Sequence, residues 1–127
     1  MMAYLEHANI TVNDPRATAA VLHDLFGWHI RWEGEGLGGK GYTVHVGTDG
    51  SYLALYAPKD RMEGQTTRYT HLGALNHIGI VVDDLDAIEA KVTSAGYVPI
   101  NHADYEPGRR FYFEGPDGVE YEVVSYA

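Results

Sequence analysis

Leu5-Glu6-His7-Ala8-Asn9-Ile10-Thr11-Val12-Asn13-Asp14 returns as Leu75-Asn76-His77-Ile78-Gly79-Ile80-Val81-Val82-Asp83-Asp84, a spacing of 70 residues in a chain of 127. Leu, His, Ile, Val and Asp recur in register, and each copy sets one histidine at the third position of a strand-like alternation. A stacked array needs three or more shorter repeats, so this is one duplication, and the chain reads as two similar modules forming one domain.

In the first copy His7, Asn9 and Thr11 alternate with Ala8, Ile10 and Val12, so a strand puts the polar set on one face and the apolar set on the other. The apolar face needs a cover, and residues 14–26 supply one. Asp14 precedes Pro15 at the favoured first helical position, and Ala17, Ala20, Val21, Leu22 and Phe26 follow at helical spacing. Gly27 is the expected C-cap. The second copy repeats this order with Asp83 or Asp84 as cap, Leu85, Ile88 and Val92 as the buried stripe, and Gly96 as terminator. Three strand candidates follow each helix, at 28–33, 42–46 and 51–57, then at 97–100, 110–114 and 119–125. The last two of each set flank an Asp-Gly turn, Asp49-Gly50 or Asp117-Gly118, which is a hairpin signal. Each module therefore reads βαβββ, the first over residues 1–57 and the second over 75–127. Residues 58–74 have little apolar periodicity and read as a linker.

The composition is that of a globular chain, 45% hydrophobic and 21% charged, with no apolar run long enough to span a bilayer. Met1-Met2-Ala3-Tyr4-Leu5-Glu6 has neither the basic stretch nor the apolar core of a signal peptide, so a cytoplasmic location and no membrane partner are expected. With no cysteine, any metal must be held by His, Asp or Glu. A net charge of −9, with nine basic residues scattered among eighteen acids, argues against a nucleic-acid partner.

Superposing the two Asp-Gly turns, 68 residues apart, pairs Ala54 with Glu122 in the last strand of each module. A two-fold site then has four equivalent positions: His7, Ala54, His77 and Glu122. Two imidazoles and a carboxylate suit a divalent first-row ion, Fe, Mn, Ni, Co or Zn, and leave coordination positions open for a small-molecule substrate. The same register pairs Val44 with Tyr112 and turns His45 away from the shared face. Tyr52 and Tyr56 flank Ala54 at period two, and Asn9 shares the face of His7, so all three are expected to line the pocket. Arg109 and Arg110 precede the Tyr112 strand and offer guanidinium groups to an acidic substrate group or to neighbouring carboxylates. Trp28 and Trp32 share a strand parity and read mainly as packing residues. His23, His29, His71 and His102 have no partner at the repeat spacing and read as surface or packing residues. Gly34-Glu35-Gly36-Leu37-Gly38-Gly39 has the letters of a dinucleotide fingerprint, but it leads into a strand and reads as a hairpin loop.

His7-x-x-Ile10-x-Val12-x-Asp14, the helix end Leu25-Phe26-Gly27, His77-x-x-Ile80-x-Val82-x-Asp84 and Gly115-Pro116-Asp117-Gly118-Val119-Glu120-Tyr121-Glu122 together resemble the vicinal oxygen chelate superfamily. Its members include glyoxalase I, extradiol dioxygenases, fosfomycin-resistance enzymes, methylmalonyl-CoA epimerase and bleomycin-resistance proteins. The resemblance covers nearly the whole chain. It implies an α+β fold of two βαβββ modules pairing into a curved mixed sheet around a central cavity, within a chain or across a homodimer, with a metal between the modules. Glyoxalase I and the epimerase place a carboxylate where this chain has Ala54. The three-ligand dioxygenases and fosfomycin-resistance enzymes match His7, His77 and Glu122 better. Tyr112 matches a tyrosine of the fosfomycin-resistance enzymes, while Asn9 stands where they have threonine and residues 101–109 lack their potassium-binding pattern. Tyr112 and Asn9 are the catalytic candidates, and Asn9, Tyr52, Tyr56, Arg110 and Tyr112 are the substrate-binding candidates. The expected function is a metal-dependent lyase or dioxygenase. The alternatives are a metal-free drug- or metabolite-binding protein of bleomycin-resistance type and a fosfomycin-resistance-like thiol transferase.

Overall fold

The computed structural model describes residues 2–36, 39–62, 68–105 and 107–127. The chain divides into two compact units, Met1–Met62 and Glu63–Ala127. The first holds β1 (His7–Thr11), α1 (Pro15–Phe26), β2 (His29–Glu35), β3 (Gly41–Gly47) and β4 (Tyr52–Pro58). The second repeats the order with β5 (Ile78–Val81), α2 (Leu85–Ser94), β6 (Ile100–Tyr105), β7 (Gly108–Glu114) and β8 (Glu120–Ser125). Each unit has one four-stranded mixed sheet, ordered β1-β4-β3-β2 and β5-β8-β7-β6. The first and last strands of each module pair in parallel and the rest are antiparallel. The fold is α+β, with two βαβββ modules.

Both helices start where the sequence dictates. Asp14 caps α1 by accepting from the Ala17 N–H at 3.1 Å, and Asp84 caps α2 by accepting from the Ala87 N–H at 3.0 Å. Pro15 opens α1 and Gly27, at φ +75°, closes it in the left-handed conformation glycine takes without strain. The buried stripe of α1 differs from expectation. Pro15, Thr18, Ala19, Leu22 and Leu25 are buried, while Ala17 and Ala20 face solvent. The stripe follows i, i+3, i+4 and i+7 spacing from Pro15 and Thr18, and it includes a threonine that hydropathy alone passes over.

Alternation sets the cores. Val44 and Val46 of β3, Leu53 and Leu55 of β4, and Ile10 of β1 are buried together with Leu22 and Leu25 of α1. In the second module Phe111 and Phe113 of β7 and Tyr121 and Val123 of β8 are buried with Leu85 and Val92 of α2, and the Phe113 and Tyr121 rings stack at 5.3 Å. The polar faces of both sheets are thereby turned away from their helices.

The second strand of the second module lies at Ile100–Tyr105, beyond the expected 97–100. Pro99 withholds a ladder donor, and Asn101, at φ +53°, breaks the register between Ile100 and Ala103 before pairing with β7 resumes. Much of the stretch 101–109, which falls between the expected strands 97–100 and 110–114, is thus hairpin. The glycine-rich segment closes the β2–β3 hairpin, with the Gly36 N–H donating to the Gly41 carbonyl at 2.9 Å, while Leu37 and Gly38 lie outside the described residues. The expected linker 58–74 straddles the division between units. Its residues 63–67 are not among those described, and Arg68 and Tyr69 bond to the second module. No described helix is long and apolar enough to cross a membrane.

Candidate functional site

In the second module the polar face of β7 and β8 carries Arg110, Tyr112 and Glu114 beside Glu120, Glu122 and Val124, with Tyr112 opposite Glu122. His77 stands immediately before β5, and β5 pairs Gly79 with Glu122. This brings His77 Nε2 to 3.0 Å from Glu122 Oε1. Arg110 Nη1 donates to the other carboxylate oxygen, Oε2, at 2.9 Å. Both partners of that ion pair are largely buried, the Arg110 and Glu122 side chains being 15% and 13% exposed. Burial keeps water from screening the pair. The Tyr112 ring meets the His77 ring edge-on at 5.6 Å. His77, Arg110, Tyr112 and Glu122 therefore form one group of side chains in contact.

Glu120, which sequence reasoning passed over, belongs to the same group. Its side chain is only 6% exposed and its Oε2 lies 3.7 Å from His77 Nδ1. Its other oxygen accepts from the Tyr69 hydroxyl, and that bond to a carboxylate pushes the Tyr69 phenol above its ordinary pKa. Arg68 donates to Glu114 at 3.4 Å. Residues 68 and 69 thus lie against the polar face, which sets three carboxylates against two guanidiniums and one imidazole.

The first module presents the equivalent face differently. β4 pairs Tyr52 with His7 and Ala54 with Asn9, as β8 pairs Glu122 with Gly79, so Ala54 and Glu122 are indeed equivalent. Ala54 is buried and offers only a methyl group. His7 stacks on Tyr52 at 4.9 Å, Tyr52 on His45 at 4.6 Å, and Trp32 packs against His45 at 5.2 Å. Arg31 lies over the Tyr52 ring at 4.3 Å and adds a cation–π contact. Tyr56 stands at the far end of β4, opposite Thr11, with its hydroxyl 3.5 Å from the Lys40 carbonyl, and is not part of this stack.

His45 corrects the expected register. β3 pairs His45 with Ala54, whereas β7 pairs Tyr112 with Glu122, so the counterpart of Tyr112 is His45 and not Val44. Val44 is fully buried on the helix side, and His45 faces His7 and Tyr52. The cause is a hairpin one residue longer in the second module, where residues 115–119 join β7 to β8 while 48–51 join β3 to β4. Comparing the two turn lengths was the signal that could have found it. Desolvation, followed by the neighbouring charges of His7 and Arg31, lowers the His45 pKa from its ordinary value. Trp32 is half-exposed beside it, so of the two tryptophans it is the one on the polar face.

Arg109 pairs with Asp86 at 3.2 Å on the surface. His23 Nδ1 donates to the Trp28 carbonyl at 2.7 Å, and His102 meets Glu89 at 2.9 Å, both in exposed positions.

A divalent ion fits the donor chemistry of the second module. Two donors bound to one ion at about 2.1 Å and near a right angle lie about 3 Å apart, which is the separation of His77 Nε2 and Glu122 Oε1. Arg110 occupies Oε2 and leaves Oε1 as a single, directed donor. Gly79 adds no side chain against that oxygen, and a Cβ there would lie 3.9 Å from it. Within either module, among the described residues, no three His, Asp or Glu side chains gather into a metal-binding group.

A family model for the Glyoxalase/Bleomycin resistance protein/Dioxygenase superfamily matches residues 4–123. The chain belongs to that superfamily. Solved structures share the fold at low identity. A glyoxylase/bleomycin resistance protein/dioxygenase domain from Frankia sp. EAN1pec is 17% identical over 98% of both chains, with a TM-score of 0.82. A glyoxalase family protein from Enterococcus faecalis is 15% identical over 95% of this chain and 96% of that one, with a TM-score of 0.76. The fosfomycin resistance protein FosX from Listeria monocytogenes, in a variant complexed with Mn(II) and dihydroxypropylphosphonic acid, is 18% identical over 98% of this chain and 93% of that one, with a TM-score of 0.73. No curated protein matches the chain.

Proposed function

We propose that this protein is a small divalent-metal-dependent enzyme, a lyase or dioxygenase by class, in which His7, His77 and Glu122 hold the ion. The observation that carries this reading is the pairing of His77 Nε2 with Glu122 Oε1 at 3.0 Å, two metal-type donors directed at one point. His7 stands at the repeat-equivalent position in the other module, and FosX, a structural neighbour, was crystallised with Mn(II). When bound, the ion, whether Mn, Fe, Ni, Co or Zn, supplies Lewis acidity to two neighbouring oxygens of a small substrate.

The remaining roles fall to the side chains on the two polar faces. Arg110 holds Glu122 in place and offers positive charge to an acidic substrate group. Tyr112 offers a hydroxyl beside His77 for proton transfer, and Asn9 offers an amide on the face of His7. Tyr52 supplies a flat ring within the stack that includes His7, and Tyr56 supplies a second hydroxyl along the same strand. The protein acts in the cytoplasm as a homodimer.

Metal analysis of the purified protein beside His77→Ala and Glu122→Ala tests the site. The wild type is expected to retain one divalent ion per site and the variants to lose it. Equal metal content in all three would falsify the metal site and leave a metal-free metabolite-binding protein as the function. Assaying catechols, thiol adducts of methylglyoxal and fosfomycin with each metal then separates dioxygenase, lyase and thiol-transferase activities.

A further inference from the structure

Each candidate histidine is preceded by a residue whose side-chain oxygen reaches its Nδ1. His7 Nδ1 lies 2.9 Å from Glu6 Oε1, and His77 Nδ1 lies 2.7 Å from Asn76 Oδ1. The two pairs occupy the same place in the repeat. Neighbouring residues inside a strand point to opposite faces and do not meet in this way. The contact forms because Glu6 precedes β1 and both Asn76 and His77 precede β5.

We infer that Glu6 and Asn76 are matched positioning residues, which hold the proton of His7 and of His77 on Nδ1 and so present each Nε2 as a lone pair toward the proposed ion. This rests on the reading of His7 and His77 as metal ligands. A neutral imidazole has one donor and one acceptor nitrogen, and an acceptor fixed at Nδ1 selects which is which. Glu6 is itself anchored by β4. Its carbonyl accepts from the Tyr52 N–H at 3.1 Å, and its carboxylate also lies 3.3 Å from the Tyr52 hydroxyl. The strand that stacks Tyr52 on the His7 ring therefore also orients the residue that selects its tautomer. At His77 the Asn76 oxygen lies 2.7 Å from Nδ1, with Glu120 Oε2 at 3.7 Å on the same side, while Glu122 Oε1, also an acceptor, competes for the proton at 3.0 Å from Nε2.

The test reads histidine tautomers by long-range nitrogen–proton NMR and Mn(II) affinity by competition. His7 is read in the metal-free protein and in Glu6→Ala. His77 is read with and without Asn76→Ala in a Glu122→Ala background, where the carboxylate at Nε2 is removed. The Nδ1–H form is expected for both histidines and is expected to be lost when the preceding residue becomes alanine. Mn(II) affinity, measured in the single Glu6→Ala and Asn76→Ala variants, is expected to fall by about 10- to 100-fold. Glu6→Gln and Asn76→Asp keep an oxygen acceptor and are expected to restore most of the affinity. Glu6 and Asn76 are exposed, and unchanged thermal unfolding of the variants verifies the fold. Tautomers and affinity identical to wild type in Glu6→Ala and Asn76→Ala overturn the inference. A wild type that binds no ion while its tautomers respond as expected supports the positioning role and overturns the metal reading instead.

Discussion

His45 shows how much a single residue of register decides. One extra residue between β7 and β8 displaces the repeat by one, and in a strand one residue exchanges the buried face for the polar face. Val44 therefore packs under the sheet while His45 joins Tyr52 and His7. Burial among these groups lowers the His45 pKa below its ordinary 6.5, so the folded state takes up a proton less readily than the unfolded chain. The stability that depends on neutral His45 is present above pH 6.5 and is lost as pH falls from there toward its lowered folded value. Urea unfolding followed from pH 7.5 to 5 should show a shallower decline in His45→Gln than in wild type, and parallel profiles would remove this role. Glu6 behaves in the opposite sense of charge. The hydrogen bond from His7 holds its carboxyl below the usual value of 4.5, so its contribution is present above that pH and fades on acidification.

At the scale of elements, caps and hairpin turns were legible because they depend on local chemistry. Asp14, Pro15, Gly27 and Asp84 each act through backbone groups within a few residues of themselves. Truncation of either cap, Asp14→Ala or Asp84→Ala, should cost about 1 kcal/mol by denaturant unfolding. The helix stripe was less legible, because Ala17 and Ala20 fit an apolar period as well as Ala19 does. Only packing against β3 and β4 selects the face that buries Leu22 and Leu25. Leu22→Ala is accordingly expected to lose about 2–5 kcal/mol, whereas Ala20→Lys should stay within about 0.5 kcal/mol of wild type. β6 escaped the sequence because Asn101, His102, Ala103 and Asp104 show no sustained apolar alternation, and its pairing with β7 after a bulge is what makes it a strand.

For the whole molecule, the proposed site draws one ligand from the first module and two from the second. Mn(II) at a hundred times its dissociation constant should stabilise the wild type by about 2.7 kcal/mol, read as a rise in thermal midpoint. His7→Ala, His77→Ala and Glu122→Ala should each abolish that rise, and a midpoint that responds to Mn(II) in all three would place the ion elsewhere. Sedimentation is expected to give the mass of two chains. The sequence by itself determined the duplication, the βαβββ order, the helix caps, the superfamily, and the equivalence of His7 with His77 and of Ala54 with Glu122. These follow from periodicity and from residues that act on their own neighbourhood. Only the tertiary structure decided that His45 shares the face of His7, that Arg110 and His77 divide the two oxygens of Glu122, and that Tyr69 closes on Glu120. Those contacts depend on which face of a strand is covered and on which strands pair, and partners such as His77 with Glu122 or Tyr69 with Glu120 lie 45 and 51 residues apart in sequence.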